Sequence, residues 1–372
     1  MNFAGLAFRN LRRRPLRTAL TIVGIALAVG SALALVALSR SIEDSTREGV
    51  DEHGADLTVN QKGAPDLFGG FLSEDLAPRL AEIKGIARVA GELFLFAPSE
   101  QDRQVLVSGW TANSYFWTSV PLRAGRLPNP GEQHVALVGD LTADAMGKHI
   151  GDDIELLGES FRIIGITQYT AIFNRGTEIV PLSDLQAATL RRGQVSMFYI
   201  GLQRGLAAME IDRIKRDIGA LGRISVSVAS EMLQHDRNFA VLKAISLSVS
   251  IIALTMGILN VLNTLLMTVQ ERTREIGIVS AIGWSDVRIM ASIVLEGLMM
   301  CALGSALGVG LGYSAAFLFP LIPTIGDYIN FKPTLGLIVP VLAATLALCT
   351  LGSLYPAWRA TRMTPAQALQ RA

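Results

Sequence analysis

The chain has 372 residues, of which 50% are hydrophobic and only 17% are charged, and its formal net charge is +1. Soluble domains carry about 25% charged residues, so this deficit indicates a membrane protein. The near-neutral charge gives no electrostatic basis for binding nucleic acid, and we expect none among the partners.

Residues 1–17 form a basic segment ahead of the first apolar run. Its apolar residues share one helical face and arginines crowd its end, which is typical of a helix in the membrane interface; a plain basic flank remains the alternative. Residues 18–39 carry no charge and can cross a hydrocarbon core of about 30 Å. An uncleaved span is predicted rather than a signal peptide, whose apolar core is only about 7–15 residues long.

Residues 40–243 are predicted to fold as a domain, because short apolar and polar patterns alternate throughout. Strands are predicted at 57–60, 86–96, 197–203 and 223–229, and helices at 73–84, with Ser73 as N-cap, and at 207–221. Two βαβ-like units flanking a strand-rich block at 100–195 predict a split α/β layer with an insertion. The charged flanks, 40–48 and 230–243, predict helical stalks, with flexible hinges as the alternative.

Three later apolar runs complete a membrane protein with four transmembrane helices. The later spans are 244–270, 289–325 and 333–358, and the remaining segments are 271–288, an outer turn at 326–332 and a tail at 359–372. Basic residues cluster before span one, between spans two and three, and after span four, as cytoplasmic segments do. Both termini are therefore predicted in the cytoplasm and residues 40–243 beyond the inner membrane, in the periplasm or extracellular space.

The segment between spans two and three, ERTREIGIVSAIGWSDVR, combines charges with apolar residues at helical spacing. Gly283 closes the pattern as a helix C-terminus would. An amphipathic helix with one side free for a partner and an ordinary polar loop both fit this spacing.

The amino-acid sequence of this segment resembles the coupling segment of the MacB/FtsX/LolC superfamily of ABC transporter permeases, also called type VII. The residues that carry the match and the predicted ATPase-coupling role are Glu271, Arg272, Thr273, Arg274, Glu275, Ile276, Gly277, Ile278, Ala281, Ile282 and Gly283. The C-terminal stretch 355–370 resembles the family's tail signature. In relatives the coupling segment is gripped by the ATPase subunit.

The resemblance implies that residues 40–243 form a porter-like α/β layer carrying an inserted β-rich subdomain. It also implies a permease subunit that moves this extracytoplasmic domain mechanically to export or extract a hydrophobic or amphiphilic substrate. The implied partners are an ABC ATPase, a second permease copy or paralogue in a dimer, and an accompanying membrane-fusion protein and outer-membrane channel. An FtsX-like regulator of cell-wall hydrolases is the alternative function. Gly147–Lys148 lacks the rest of a phosphate loop, so ATP and Mg are expected only on the partner, with no enzyme activity, catalytic residue or metal site in this chain.

Polar and small residues inside the spans are the remaining candidates for interfaces. They are Gly257, Asn260 and Asn263 in span two, and Glu296, Gly304, Gly308 and Gly312 in span three. Intramembrane amides predict a hydrogen-bonded interface, either within one protomer or in a dimer, and glycines four residues apart predict close helix packing. The lone acid lies near the predicted cytoplasmic end, where water or Arg288 could reach it. The resembling family often has an acid here, which implies structural anchoring rather than proton transport.

Overall fold

The computed structural model describes residues 14–64, 69–100, 104–229, 237–318 and 334–362. Two compact units emerge: a helical unit, with the residues up to Ser39 and those from Lys243 onward, and an α/β domain at Arg40–Leu242. Most of the N-terminal segment, the start of the second stalk, the outer turn and most of the tail lie outside the described residues.

The elements follow one another in a simple order. They are α1 (Pro15–Glu52), β1 (Leu57–Gln61), β2 (Leu72–Ser73), α2 (Leu76–Ala81), β3 (Ile86–Pro98), β4 (Gln104–Trp110), β5 (Leu122–Gly125), β6 (Val135–Gly139), α3 (Asp140–Met146), β7 (Asp153–Leu156), β8 (Glu159–Thr167), α4 (Ile172–Arg175), β9 (Thr177–Pro181), α5 (Leu182–Ala188), β10 (Gln194–Val195), β11 (Met197–Leu202), α6 (Ala208–Gly219), β12 (Ile224–Val228), α7 (Arg237–Glu271), α8 (Thr273–Ala281), α9 (Asp286–Leu318) and α10 (Leu335–Thr361).

Within the described residues, four helices are long and apolar enough to cross a bilayer: α1, α7, α9 and α10. Helix α1 runs unbroken from Pro15 to Glu52, which confirms the helical continuation predicted for residues 40–48. Buried apolar residues from the four helices, including Val29, Val261 and Ile293, form one core in the helical unit. A disulfide that the sequence analysis did not anticipate, Cys301–Cys349, joins α9 to α10.

The α/β domain is built on a split βαβ arrangement. Strands β12, β1, β11 and β3 are neighbours in that order, and β11 pairs antiparallel with both β1 and β3. Helix α2 therefore connects two parallel strands, β1 and β3, and α6 similarly connects β11 and β12. This ferredoxin-like layer matches the two βαβ-like units read from the sequence.

The inserted block extends the same sheet and does not form a separate one. The seven pairs from Glu92↔Trp110 to Pro98↔Gln104 join β3 to β4. The sheet then continues through β9, β6, β8 and β5, with β7 on β8. The short helices α3, α4 and α5 lie among these strands, so the block is α/β rather than purely β-rich.

The predicted helix at 73–84 is too long. The observed helix α2 covers only Leu76–Ala81, and its N-cap residue is Asp75 rather than Ser73. Ser73 instead pairs with Gln194 in a short strand ladder, and its hydroxyl accepts a 3.3 Å hydrogen bond from the Asp75 N–H. Strand pairing with a distant segment thus overrides the local capping signal.

Candidate functional site

The coupling segment forms a short helix, α8, with a defined end. The Gly283 N–H donates to the Ser280 carbonyl at 3.0 Å, and the Trp284 N–H donates to the Val279 carbonyl at 3.3 Å. These two bonds form a Schellman motif, which needs a left-handed residue after the helix. Gly283 supplies it with φ of +98°, as its position in the sequence predicted.

One face of α8 is exposed and mixes apolar with basic side chains. Ile282 is 75% exposed and Ile278 is 45% exposed, and Arg274 lies on the same face at four-residue spacing. Ala281 and Gly283 are also exposed on this side. Ile276, expected on the same apolar face, packs against the core of the helical unit instead, because it lies on the opposite side of the helix with buried Gly277.

Glu271, at the end of α7, is clamped by Arg17 of α1 and by Arg14, just before that helix. Arg17 donates two hydrogen bonds to the carboxylate, from Nη1 at 3.0 Å and from Nη2 at 2.8 Å. Arg14 Nε lies 3.2 Å from the same group. Bidentate arginine–carboxylate pairs are directional and stronger than neutral hydrogen bonds. The first residue of the coupling segment is therefore tied to the base of span one.

Arg272 bridges the coupling helix to α9. Its Nε lies 2.9 Å from Glu275, and its Nη1 donates at 2.9 Å to Glu296, which is only 3% exposed. The partner of Glu296 is thus Arg272 and not Arg288. A polar cavity of about 310 Å³, lined by these charged groups and by Thr264 and Thr268, lies beside them.

Span two packs its small and amide face on α1. A Cβ at Gly24 would meet the Asn260 amide, so that side chain would have to move, and Gly257 lies against Ala28. One turn further, Thr21 and Thr264 share a buried hydrogen bond of 2.7 Å. Asn263 points away from this contact and is exposed, so its place in a dimer interface stays a prediction.

The three spaced glycines of span three also lie against α1. A Cβ at Gly304 would come within 2.7 Å of Ile25, and one at Gly312 within 2.8 Å of Leu33. A Cβ at Gly308 would meet the backbone of α1 at 2.8 Å. The absence of side chains at these positions allows the two helix backbones to approach closely.

Two family models cover most of the chain. The MacB-like periplasmic core domain matches residues 18–216, and the FtsX-like permease C-terminal domain matches residues 247–365. The chain belongs to the MacB/FtsX family of ABC transporter permeases. The coupling helix α8 and the glycines of span three lie within the FtsX-like region of this permease.

Relatives of this MacB/FtsX permease include proteins of two lengths. The macrolide export ATP-binding/permease protein MacB of Hyphomonas neptunium is 26% identical over 98% of this chain, and the match covers 60% of that protein. An uncharacterized ABC transporter permease of Mycobacterium tuberculosis is 25% identical over 94% of this chain and 97% of its own length. The chain therefore spans about 60% of the length of the MacB relative.

Solved structures similar to the permease are extracytoplasmic domains. The periplasmic region of MacB from Actinobacillus actinomycetemcomitans is 12% identical, covers 48% of this chain and 91% of that structure, and superposes with a TM-score of 0.40. The match to the extracellular domain of the transporter YknZ from Gram-positive bacteria covers 46% of this chain and 99% of that structure, with a TM-score of 0.38.

Proposed function

We propose that this permease works with a separate ABC ATPase, which binds ATP and Mg and docks on the exposed face of α8. The main support for the proposal is that one side of this short helix is anchored by ion pairs while the other side is exposed. Arg272 and Glu271 fix α8 to its neighbours, while Ile278 and Ile282 stay exposed. Apolar side chains beside a basic one are typical of the centre of a protein interface.

Force applied to α8 has two direct routes into the helical unit. One passes through the Arg272–Glu296 pair to α9, and the other through the Glu271–Arg17 clamp to α1. Both contacts are charge-assisted and directional, so a displaced coupling helix pulls its partners rather than sliding past them. We propose that these contacts carry the ATPase movement into the spans.

Helix α1 carries the proposed movement onward, because its last turns are anchored in the α/β domain. Glu52 accepts hydrogen bonds from the Thr170 and Ala171 N–H groups at 2.6 and 3.0 Å. Asn174 donates to Glu52 at 2.9 Å and to the Gly49 carbonyl at 3.1 Å. We propose that motion of this helix displaces the domain beyond the membrane and so drives export or extraction of a hydrophobic or amphiphilic substrate.

The wider assembly belongs to the same proposal. We place both termini in the cytoplasm and the α/β domain outside the inner membrane, with a second permease copy or paralogue completing a dimer. A membrane-fusion protein and an outer-membrane channel would extend the path for an exported substrate. Two measurements distinguish this function from that of an FtsX-like regulator. A transporter should cause ATP-dependent loss of substrate from cells or vesicles and should leave cell-wall hydrolysis unchanged.

The docking face can be tested without disturbing the buried side of α8. We expect Ile282→Asp and Arg274→Glu each to reduce co-purification of the partner ATPase at least tenfold. Both side chains are exposed, so the fold should survive. Arg359→Glu, an exposed charge reversal at the end of α10, is the matched control and should co-purify normally. Normal ATPase binding by both α8 variants would overturn the docking proposal.

The mechanical step needs a separate test. Replacing residues 39–41 of α1 by three glycines weakens the helix there by roughly 1 kcal/mol per residue relative to three alanines. We expect the glycine variant to keep assembly and ATP hydrolysis but to lose transport, while the alanine variant keeps all three. Full transport by the glycine variant would show that the α/β domain is a passive binding module.

A further inference from the structure

A cavity of about 60 Å³ lies inside the α/β domain, between the last turns of α1 and one face of the sheet. Gly49 and His53 form the α1 side, and Glu92 and Tyr199 are among the sheet residues opposite. A water position occupies about 10–15 Å³ of such volume, so the space takes a group of a few non-hydrogen atoms.

One wall of the cavity carries a buried carboxylate. Glu92 is 4% exposed and accepts hydrogen bonds from Trp110 Nε1 at 2.7 Å and from the Ser108 hydroxyl. Burial and the Glu92 carboxylate both raise the pKa of Tyr199, so its hydroxyl remains a donor beside the acid. These donors are all neutral, so none of them brings a positive charge to the carboxyl group.

Among the described residues, the group paired with Glu92 that can become positive is His53. Its Nδ1 lies 2.7 Å from the Gly49 carbonyl, which can only accept, so Nδ1 carries the proton of the neutral ring. The other nitrogen, Nε2, then presents a lone pair 3.8 Å from Glu92 Oε1. The two atoms are too far apart to bond to each other, and both are acceptors.

Two acceptors at this separation suit one donor placed between them. A nitrogen about 2.8 Å from each atom reaches both, because 3.8 Å is less than twice that distance. At Oε1 it would add a charge-assisted contact to the hydrogen bonds from Trp110 and Ser108, which end on the same oxygen. The rest of the lining mixes aliphatic and polar residues with several aromatic ones, among them Phe94, Tyr169 and Phe173, and aromatic faces attract cations and pack against alkyl groups.

We propose that this cavity binds the protonated primary amino group of a small alkylammonium ligand, with N–H bonds to Glu92 and His53 and its alkyl arm against the aromatic walls. The bound group would supply the positive charge that the buried carboxylate lacks. Since α1 forms one wall, an occupied cavity would also hold the end of this helix more firmly. The site is independent of ATPase docking, because none of its residues lies near α8 in the sequence or belongs to the helical unit.

The test uses the full chain in nanodiscs at pH 8, where an ordinary imidazole is neutral and an alkylamine is still charged. Titration calorimetry with propylammonium chloride should show saturable binding at millimolar concentration. Neutral 1-propanol, of the same shape, should not bind, and tetramethylammonium, which has no N–H, should bind at least tenfold more weakly. No propylammonium binding up to 100 mM, or equal binding of all three probes, would overturn the proposal.

Point variants test whether propylammonium binds in this cavity. Glu92→Gln should weaken propylammonium binding at least tenfold, whereas Glu132→Gln, a matched change at a surface acid, should leave it unchanged. His53→Phe keeps an aromatic ring and the Glu92 charge, so it tests the second acceptor even if Glu92→Gln does not fold; it should also bind about tenfold more weakly. Unchanged binding in His53→Phe would refute the bridged geometry. Normal ATPase co-purification by these variants keeps this result separate from the docking proposal.

Discussion

Glu178 should make the α/β domain less stable as the pH rises. It lies in the middle of the sheet on β9, opposite Val107 of β4 and Val138 of β6, and it is fully buried. Within the described part of the chain, neither carboxyl oxygen has a hydrogen-bond partner. Burial raises the pKa of Glu178 well above its usual value, so the folded domain holds this group protonated.

The sign of the effect follows from proton counting. In the unfolded chain, Glu178 loses its proton above a pH of about 4.3, while the folded domain keeps it. The folded state then binds one more proton, and the free energy of unfolding falls by about 1.4 kcal/mol per pH unit until the folded group ionises. This equals a tenfold rise in the unfolding equilibrium constant for each unit.

Glu178→Gln keeps the side-chain shape and removes the titration. We expect the difference in free energy of unfolding between this variant and the wild type to increase by about 1.4 kcal/mol per pH unit above pH 5, in favour of the variant. Hydrogen exchange of the β9 amides in the full chain measures this directly, because core strands exchange mainly through global opening of their domain. The ratio of protection factors between variant and wild type should grow about tenfold per pH unit.

Glu132→Gln is the control with the opposite sign. Hydrogen bonds from Arg126 and from the Asn129 N–H lower the pKa of Glu132 to about 2. Its stabilising contribution is therefore complete above the unfolded pKa and is lost only as the pH falls toward 2, so this variant should differ from wild type by a constant amount between pH 5 and 7. A Glu178→Gln difference that is equally constant would show that Glu178 is not held protonated.

Three further predictions concern the helical unit and the membrane topology. In intact cells an impermeant thiol reagent should label Ser160→Cys and spare Ser285→Cys, and labelling at both positions would contradict the proposed orientation. Gly308→Val should lower the melting temperature of the purified protein, because the added side chain meets the α1 backbone. Glu296→Gln should lower the free energy of unfolding by about 1.5–3 kcal/mol, because Arg272 keeps Glu275 but loses its charged bond to the buried acid. Denaturation in detergent measures this, and an unchanged midpoint would show that the pair does not stabilise the fold.

The sequence predicts the features that depend on local pattern. Runs of apolar residues long enough for a bilayer locate the four helices, and the alternation of apolar and polar residues locates four strands of the α/β domain, β1, β3, β11 and β12. Gly283 predicts the end of α8, because a left-handed residue is a requirement of a single position.

Features that depend on how elements pack against one another were not predictable in the same way. The partner of Glu296 is set by the rotation of α9 relative to Arg272, which a single sequence does not state. Likewise, tertiary packing decides that the side of α8 containing Ile276 is the one that packs against the core of the helical unit. A signal for the Arg17–Glu271 clamp did exist, since the predicted topology puts these two oppositely charged residues at the same membrane face.

The inserted block has a mechanical consequence because it shares a sheet with the ferredoxin-like layer. Bending the insert away from that layer would require breaking the seven-pair ladder between β3 and β4. The strand order from β12 to β5 contains eight lateral steps, and at about 4.8 Å each the sheet is about 38 Å wide. A rigid turn of about 5° at one edge would carry the other edge about 3 Å. In the proposed mechanism, the width of the sheet would therefore set how far a given rotation of α1 displaces the far edge of the domain.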